Sequence, residues 1–280
     1  MKKFLGLLFA VGTLTLLSAC ATSTDKTSSS SATNNTSANN DDKLAQIKEA
    51  GVLVMGTSPD FPPFEFPDAN GDVVGIDVDI ANAVAEELGV ELKVMQLSFD
   101  NLLPSLQAGK IDVALAGVSA TEERQKSADF STPYFTPTQK IVIQKANADT
   151  YTSVDSLDGK KVGAQKGSIQ EGVAESQLPK ASLVSIPSNA TMLIQLKSGG
   201  LDAMVMEGAV AENYVAQNAD LVVADIDLTS ADDESYAVAL PKNSGDLKTE
   251  IDKVIEQLIA DKKIDEFVTK NTELSDQSAD

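Results

Sequence analysis

The 280 residues contain no histidine, no tryptophan and a single cysteine. Without histidine, a His-dependent triad, a His general base and a His-ligated zinc site are excluded, whereas carboxylate catalysis is not. One cysteine excludes an internal disulfide. Positive charge is scarce. Lys and Arg number 22 against 42 Asp and Glu, a net charge of −20. That balance argues against nucleic acid as a partner and against adhesion to anionic lipid. Aromatic residues make up 5 %, few enough to be placed one by one.

What is present starts with Lys2 and Lys3 and an apolar run from Phe4 to Leu17. The run is too short for a typical membrane span and suits the core of a signal peptide. It leads into Leu17-Ser18-Ala19-Cys20, which resembles the bacterial lipobox. The resemblance implies a signal peptide of residues 1–19 and a lipid on Cys20, with two or more acyl chains needed for stable anchoring. Ser, Thr, Asn and Ala then dominate up to Asp42. Such a stretch cannot bury enough surface to fold, so residues 20–43 read as a tether with a coil span of about 25 Å. A long polar tether leans toward a lipoprotein of Gram-positive type, held on the outer face of the cell membrane. The last residues, Ser275 to Asp280, read as frayed.

The remainder is long enough for one large domain or two lobes. Val52–Thr57 is an apolar β run. Ile76, Ile80, Val84 and Leu88 fall at helical spacing, and Gly89 ends that helix. Val90–Leu97 is a strand, Leu102–Gln107 a short helix, and Ile111–Ala116 a strand. The alternation resumes with strands at Lys161–Gln165, Leu183–Ile186 and Leu201–Met206, a loop and helix over Gly167–Gln177, and a helix at Met192–Leu196. Ser235–Leu240 is a further strand, followed by one helical stretch from Leu247 to Phe267. Alternating βα units predict an α/β fold with open, mostly parallel sheets flanked by helices. Two connections between lobes are expected near Thr138–Ile143 and Tyr236–Leu240.

The pattern repeats. Leu103, Leu106, Gly109, Ile111 and Asp112 are matched at a uniform offset by Leu193, Leu196, Gly199, Leu201 and Asp202. At that offset Gly117 corresponds to Glu207, each just past the carboxyl end of a strand, where open α/β sheets bind ligands. Two facing lobes with a cleft between them follow from this echo.

The segment Ala116–Tyr134 is the most informative. A strand ends in Gly117, and Thr121 sits where a helix N-cap belongs. A capping box would put Glu or Gln three residues later; Arg124 stands there instead. A cation in a first helical turn opposes the helix dipole unless an anion is near. Free N–H groups from Gly117 to Thr121, the Ser119 hydroxyl and the forked guanidinium together suit a carboxylate. The alternative is an ordinary ion pair between Arg124 and a surface Glu.

Four segments carry a family resemblance: Gly56-Thr57-Ser58-Pro59-Asp60-Phe61-Pro62-Pro63-Phe64-Glu65-Phe66; Gly75-Ile76-Asp77-Val78-Asp79; Leu103 to Tyr134; and Leu157-x-Gly159-Lys160-Lys161-Val162-Gly163 with Gly167-Ser168. The chain resembles the extracellular solute-binding proteins of family 3, the polar amino-acid receptors of ABC importers. The resemblance implies a two-lobed, hinge-closing fold of the type II periplasmic-binding-protein kind. Lobe 1 would comprise residues 44–138 and 237–280, and lobe 2 residues 139–236. It implies that Arg124 clamps the ligand α-carboxylate, aided by the backbone N–H groups of Ser119 and Ser168. Gly117 C=O, the Ser119 hydroxyl and Glu207 would take the α-ammonium, with Glu207 standing where Asp is expected. Phe61 and Phe99 would flank the ligand side chain. Ser58, Glu65 and Gln165 are the candidates for side-chain selectivity. Ser58 replaces the Asp often found in receptors for cationic amino acids, which weakens but does not remove a cationic ligand. Glutamine and arginine types both stay open.

The leading expectation is therefore a binding protein without catalysis, for a free L-amino acid, working as a monomer with a membrane permease. No cofactor and no metal are expected, since no third carboxylate beside Asp77 and Asp79 has calcium-loop spacing. A second reading is a dehydratase for prephenate or arogenate on the same fold, with Glu207 or Glu171 as general acid. A third is a surface adhesin or sensor.

Overall fold

The structure is a computed structural model describing residues 43–231 and 234–277. Cys20, the signal peptide and the tether lie outside the described residues.

The first half runs α1 (Lys43–Ala50), β1 (Val52–Thr57), β2 (Phe66–Pro67), β3 (Val73–Val74), α2 (Ile76–Leu88), β4 (Glu91–Gln96), α3 (Leu102–Gln107), β5 (Val113–Ala114), α4 (Glu122–Gln125) and β6 (Ala128–Phe130). A second group follows: β7 (Gln139–Gln144), β8 (Lys161–Gln165), α5 (Ile169–Gln177), β9 (Ser182–Ile186), α6 (Asn189–Lys197), β10 (Ala203–Glu207), α7 (Gly208–Gln217) and β11 (Leu221–Val223). The chain returns through β12 (Ala239–Pro241), α8 (Gly245–Ala260) and α9 (Lys263–Gln277).

Local chemistry sets these elements. Ile76, Ile80, Val84 and Leu88 recur every four residues on the buried face of α2. Gly89 ends it in the left-handed conformation at φ 70°, donating its N–H to Glu86 O. Ser168 and Ser188 cap α5 and α6, their hydroxyls accepting from Glu171 N–H and Thr191 N–H. Leu53, Met55, Ile80 and Ile111 are wholly buried, which is worth roughly 1.5–3 kcal/mol for each side chain.

Two five-stranded sheets result, ordered β4-β1-β5-β12-β6 in lobe 1 and β11-β7-β10-β8-β9 in lobe 2. In each, four strands share one direction and one opposes them, β12 in lobe 1 and β7 in lobe 2. Read from β4 and from β9, the two orders correspond strand for strand. The echo extends to single atoms. Asp112 Oδ2 accepts Val54 N–H at 2.8 Å while Asp112 N–H returns to Val54 O at 2.8 Å. Asp202 does the same with Lys161, at 2.9 Å both ways.

Three details depart from expectation. The Ile111–Ala116 run forms a ladder only at Val113–Ala114, although Asp112 and Leu115 still bond to β1 through Val54 O and Gly56 O. Leu247–Phe267 is two helices, broken where Lys262 takes φ 58°. Ser275 is buried, not frayed: α9 runs to Gln277, and Ser275 Oγ accepts from Asn213 Nδ2 of α7 at 2.6 Å. At its middle α9 is held to α2, Lys270 and Asn271 both bonding Asp79. This helix therefore joins both lobes.

Candidate functional site

The facing ends of the two sheets enclose a cavity of about 10 Å³, lined by Phe61, Phe99, Gly117, Arg124, Gln170 and Tyr236 among others. On the Phe99 and Arg124 side lies a groove of about 310 Å³ that also touches Gly167. A larger surface groove of about 400 Å³ between α2 and α8 carries the exposed Lys253–Glu87 pair and no orphaned polar group, so the chemistry belongs to the small cavity.

Its lobe 1 wall starts at Gly117, held at φ 56°. A Cβ there would lie 2.8 Å from Phe61 Cε1 and 3.0 Å from Tyr236 Cε2, so only glycine fits. Its N–H donates to Asp77 Oδ2 at 2.9 Å, and Tyr134 OH donates to Asp77 Oδ1 at 2.8 Å. Burial pushes Asp77 up to about 6, against the pull of those two donors. Glu65 is wholly buried beside it, and neither oxygen receives an N–H or hydroxyl. Burial first, then the Asp77 and Asp60 carboxyls, raises Glu65 well above the carboxylate range. A raised Glu65 holds its proton more readily, which relieves the repulsion between it and Asp77.

Ser119 lies opposite Tyr236. Bonds from Ala120 N–H to Ser235 O (3.3 Å) and Ala237 N–H to Val118 O (3.0 Å) flank it, so its own backbone groups face away from that strand. Ser119 Oγ is buried without a partner. Of the N–H groups expected to be free between Gly117 and Thr121, those of Gly117 and Ala120 are thus engaged.

Thr121 caps α4 as its position predicts, accepting Arg124 N–H at 3.3 Å. The guanidinium of Arg124 spans the lobes. Nη1 donates to Ser119 O and Nη2 to Gly167 O, both at 3.0 Å, and Cζ sits 5.4 Å from the Phe99 ring centre. Among the described residues no carboxylate forms an ion pair with it, which removes the surface-Glu alternative. Burial lowers its pKa to about 10, so it stays charged at neutral pH.

Gln165, Ile169 and Gln170 form the lobe 2 wall. Gln170 Nε2 donates to Gln139 Oε1 at 2.9 Å, and Gln139 Nε2 to Glu234 Oε2 at 2.8 Å; all three residues are buried. Ser168 faces inward to its own helix. Its N–H bonds Gln165 O at 3.1 Å and its hydroxyl bonds the same oxygen at 2.7 Å. Glu207 is the N-cap of α7, with Oε2 accepting Val210 N–H at 3.0 Å. Burial raises it to about 7, opposed by N–H groups of the α7 turn and Thr138. Between the lobes, Tyr214 OH donates to Asp60 O at 3.0 Å and Lys166 pairs with Asp100 at 2.8 Å.

Residues 53–273 match the bacterial extracellular solute-binding proteins, family 3. The chain belongs to this family. It is 32 % identical over 260 residues to the arginine-binding extracellular protein ArtP of Bacillus subtilis (strain 168), covering 92 % of this chain and 93 % of that protein. It is 31 % identical over 276 residues to the glutamine-binding protein GlnH of an ABC transporter in the same organism, covering 96 % and 97 %. A crystal structure of the amino acid ABC transporter substrate-binding protein AbpA from Streptococcus pneumoniae bound to L-arginine superimposes with a TM-score of 0.80 at 45 % identity, covering 82 % of this chain and 98 % of that one.

For this solute-binding protein, the structure brings Phe61, Phe99, Gly117, Ser119, Arg124 and Gln165 around one cavity. It leaves Ser58, Glu65, Ser168 and Glu207 outside the lining. Sequence reasoning missed Tyr236 and Gln170. Tyr236 was detectable as an aromatic beside an expected crossing. Gln170 follows the Gly167-Ser168 pair, but its link to Gln139 and Glu234 has no local signature.

Proposed function

We propose that the chain is the substrate-binding lipoprotein of an ABC importer, capturing a free polar or cationic L-amino acid of arginine or glutamine type and delivering it to a permease. The observation that carries this reading is Arg124, a half-buried charge without a carboxylate partner among the described residues, set where both lobes meet. An α-carboxylate completes it with charge-assisted hydrogen bonds. A cavity of about 10 Å³ has room for about one water, so entry of an amino acid requires the lobes to part and close again. Relatives that bind arginine and glutamine support the ligand class.

In this reading residues 1–19 are removed, Cys20 carries the lipid, and the tether to residue 43 holds the body at the outer face of a Gram-positive type of membrane. Residues 44–138 with 237–280 form one lobe and 139–236 the other, and the protein works as a monomer without catalysis. Of the two acids a dehydratase could use, Glu207 accepts Val210 N–H at the start of α7 and Glu171 accepts Gly167 N–H, which favours binding over turnover.

Titration calorimetry on the full-length protein in detergent, after unfolding and refolding to strip bound ligand, tests the proposal against each of the twenty amino acids. One-to-one binding of one or two supports it; binding of none sinks it.

A further inference from the structure

The chain Glu234–Gln139–Gln170 has a direction. A carboxylate only accepts, so the amide group that meets Glu234 Oε2 is the nitrogen of Gln139. Gln139 Oε1 is then left for Gln170 and receives its Nε2. Turning either amide would set oxygen against oxygen or nitrogen against nitrogen in a buried place. Gln170 is 6 % exposed and lines the cavity. Its nitrogen is committed, so the atom left for the cavity is Oε1, which accepts nothing among the described residues. Ser119 Oγ, also buried and without a partner, lines the same space from lobe 1.

Resting on the reading of this cleft as an amino-acid site, we propose that Gln170 is a ligand-binding residue whose amide oxygen accepts a hydrogen bond from an N–H of the ligand. The cavity then has a donor pole, Arg124, and an acceptor pole, Gln170 Oε1 with Ser119 Oγ. Glu207, the residue that the repeat aligns with Gly117, spends its carboxylate on α7, and Gln170 supplies an acceptor in that wall without a charge. A ligand lacking a suitably placed N–H would leave the oxygen desolvated and unpaired, a cost comparable to a lost hydrogen bond. Two nitrogens offer the same chemistry, the α-ammonium and the side-chain guanidinium or amide.

The experiment is calorimetry on the full-length protein in detergent with L-arginine, L-glutamine and L-glutamate, for the wild type, Gln170→Met and Glu234→Gln. Gln170→Met keeps the length and removes the acceptor. It is expected to raise Kd at least about tenfold, a hydrogen bond's worth, and to lower Tm by several degrees without unfolding the protein, because Gln139 Oε1 loses its donor. Equal losses on all three ligands assign the α-ammonium. A glutamine-to-glutamate preference that collapses assigns the side chain. Glu234→Gln releases the direction of the relay and is expected to weaken binding at least about threefold; it is the deciding variant if Gln170→Met does not fold. Affinities unchanged to within about twofold in the folded variants overturn the proposal. A wild type that binds no amino acid overturns the function reading instead.

Discussion

The Asp77 carboxylate holds the backbone N–H of Gly117 across forty positions of sequence, at 2.9 Å. Its other oxygen takes the Tyr134 hydroxyl. Asp77→Ala leaves both donors buried and unpaired, each costing about 1–3 kcal/mol. Urea unfolding should show the loss, and amino-acid affinity should fall with it as Gly117 loosens. An unchanged midpoint would show that Asp77 does not hold this loop.

Three buried carboxyls set a pH dependence. Asp77 at about 6, Glu207 at about 7 and Glu65, raised well above the usual carboxylate range, keep protons that the unfolded chain gives up near 3.8 to 4.5. The native state therefore binds more protons, and stability falls as pH rises through this range. It should be greatest below about pH 4.5 as far as these groups are concerned, and the part due to Asp77 and Glu207 should be lost as pH rises through about 6 and 7. Urea midpoints at pH 5 and pH 8 should differ in that sense, and Glu207→Gln should narrow the gap. A midpoint that rises with pH would contradict the assignment.

Arg124→Ala removes one bond within lobe 1, to Ser119 O, one bond across to Gly167 O of lobe 2, and the charge proposed to meet the ligand. A bidentate charge-assisted pair lost should weaken binding by roughly a hundredfold or more. The fold should survive, because the guanidinium sits in the cleft and not in either core. Calorimetry beside a melting curve separates the two effects, and normal affinity would sink the clamp.

Gly117→Ala combines left-handed backbone, costing about 1–2 kcal/mol, with contact against Phe61 and Tyr236, costing about 1–3 kcal/mol more. A fall in Tm of several degrees is expected, together with lost binding. A variant as stable as the wild type would mean that the ring cluster yields more readily than the geometry implies.

The loop from Gly117 to Arg124 was legible because its signals are local: a strand end, a capping threonine, and an arginine where a capping glutamate belongs. The repeat was legible because helix-Gly-strand spacing is itself periodic. The destinations of the hydrogen bonds were not. Gly117 N–H reads as free until Asp77, forty positions earlier, comes to lie beneath it. Glu65, set among Phe61, Phe64 and Phe66, reads as a selectivity group, yet tertiary packing buries it against Asp77. Glu207 lands at the right end of the right strand, but the orphan N–H groups of α7 claim its carboxylate. The break at Lys262 escaped notice because neither Gly nor Pro marks it.

The opposing strand in each sheet has a consequence for how the chain assembles. Everything lobe 2 needs for its sheet is contiguous, from Gln139 to Val223. Lobe 1 is split: β5 and β6 find the strand between them only when Ala239–Pro241 arrives, and α8 and α9 come later still. As the chain emerges from its amino end, the second lobe can close first, while β5 presents an unpaired edge open to wrong partners. The first half made is the last half finished, and the residues that complete it are the ones a premature stop would remove.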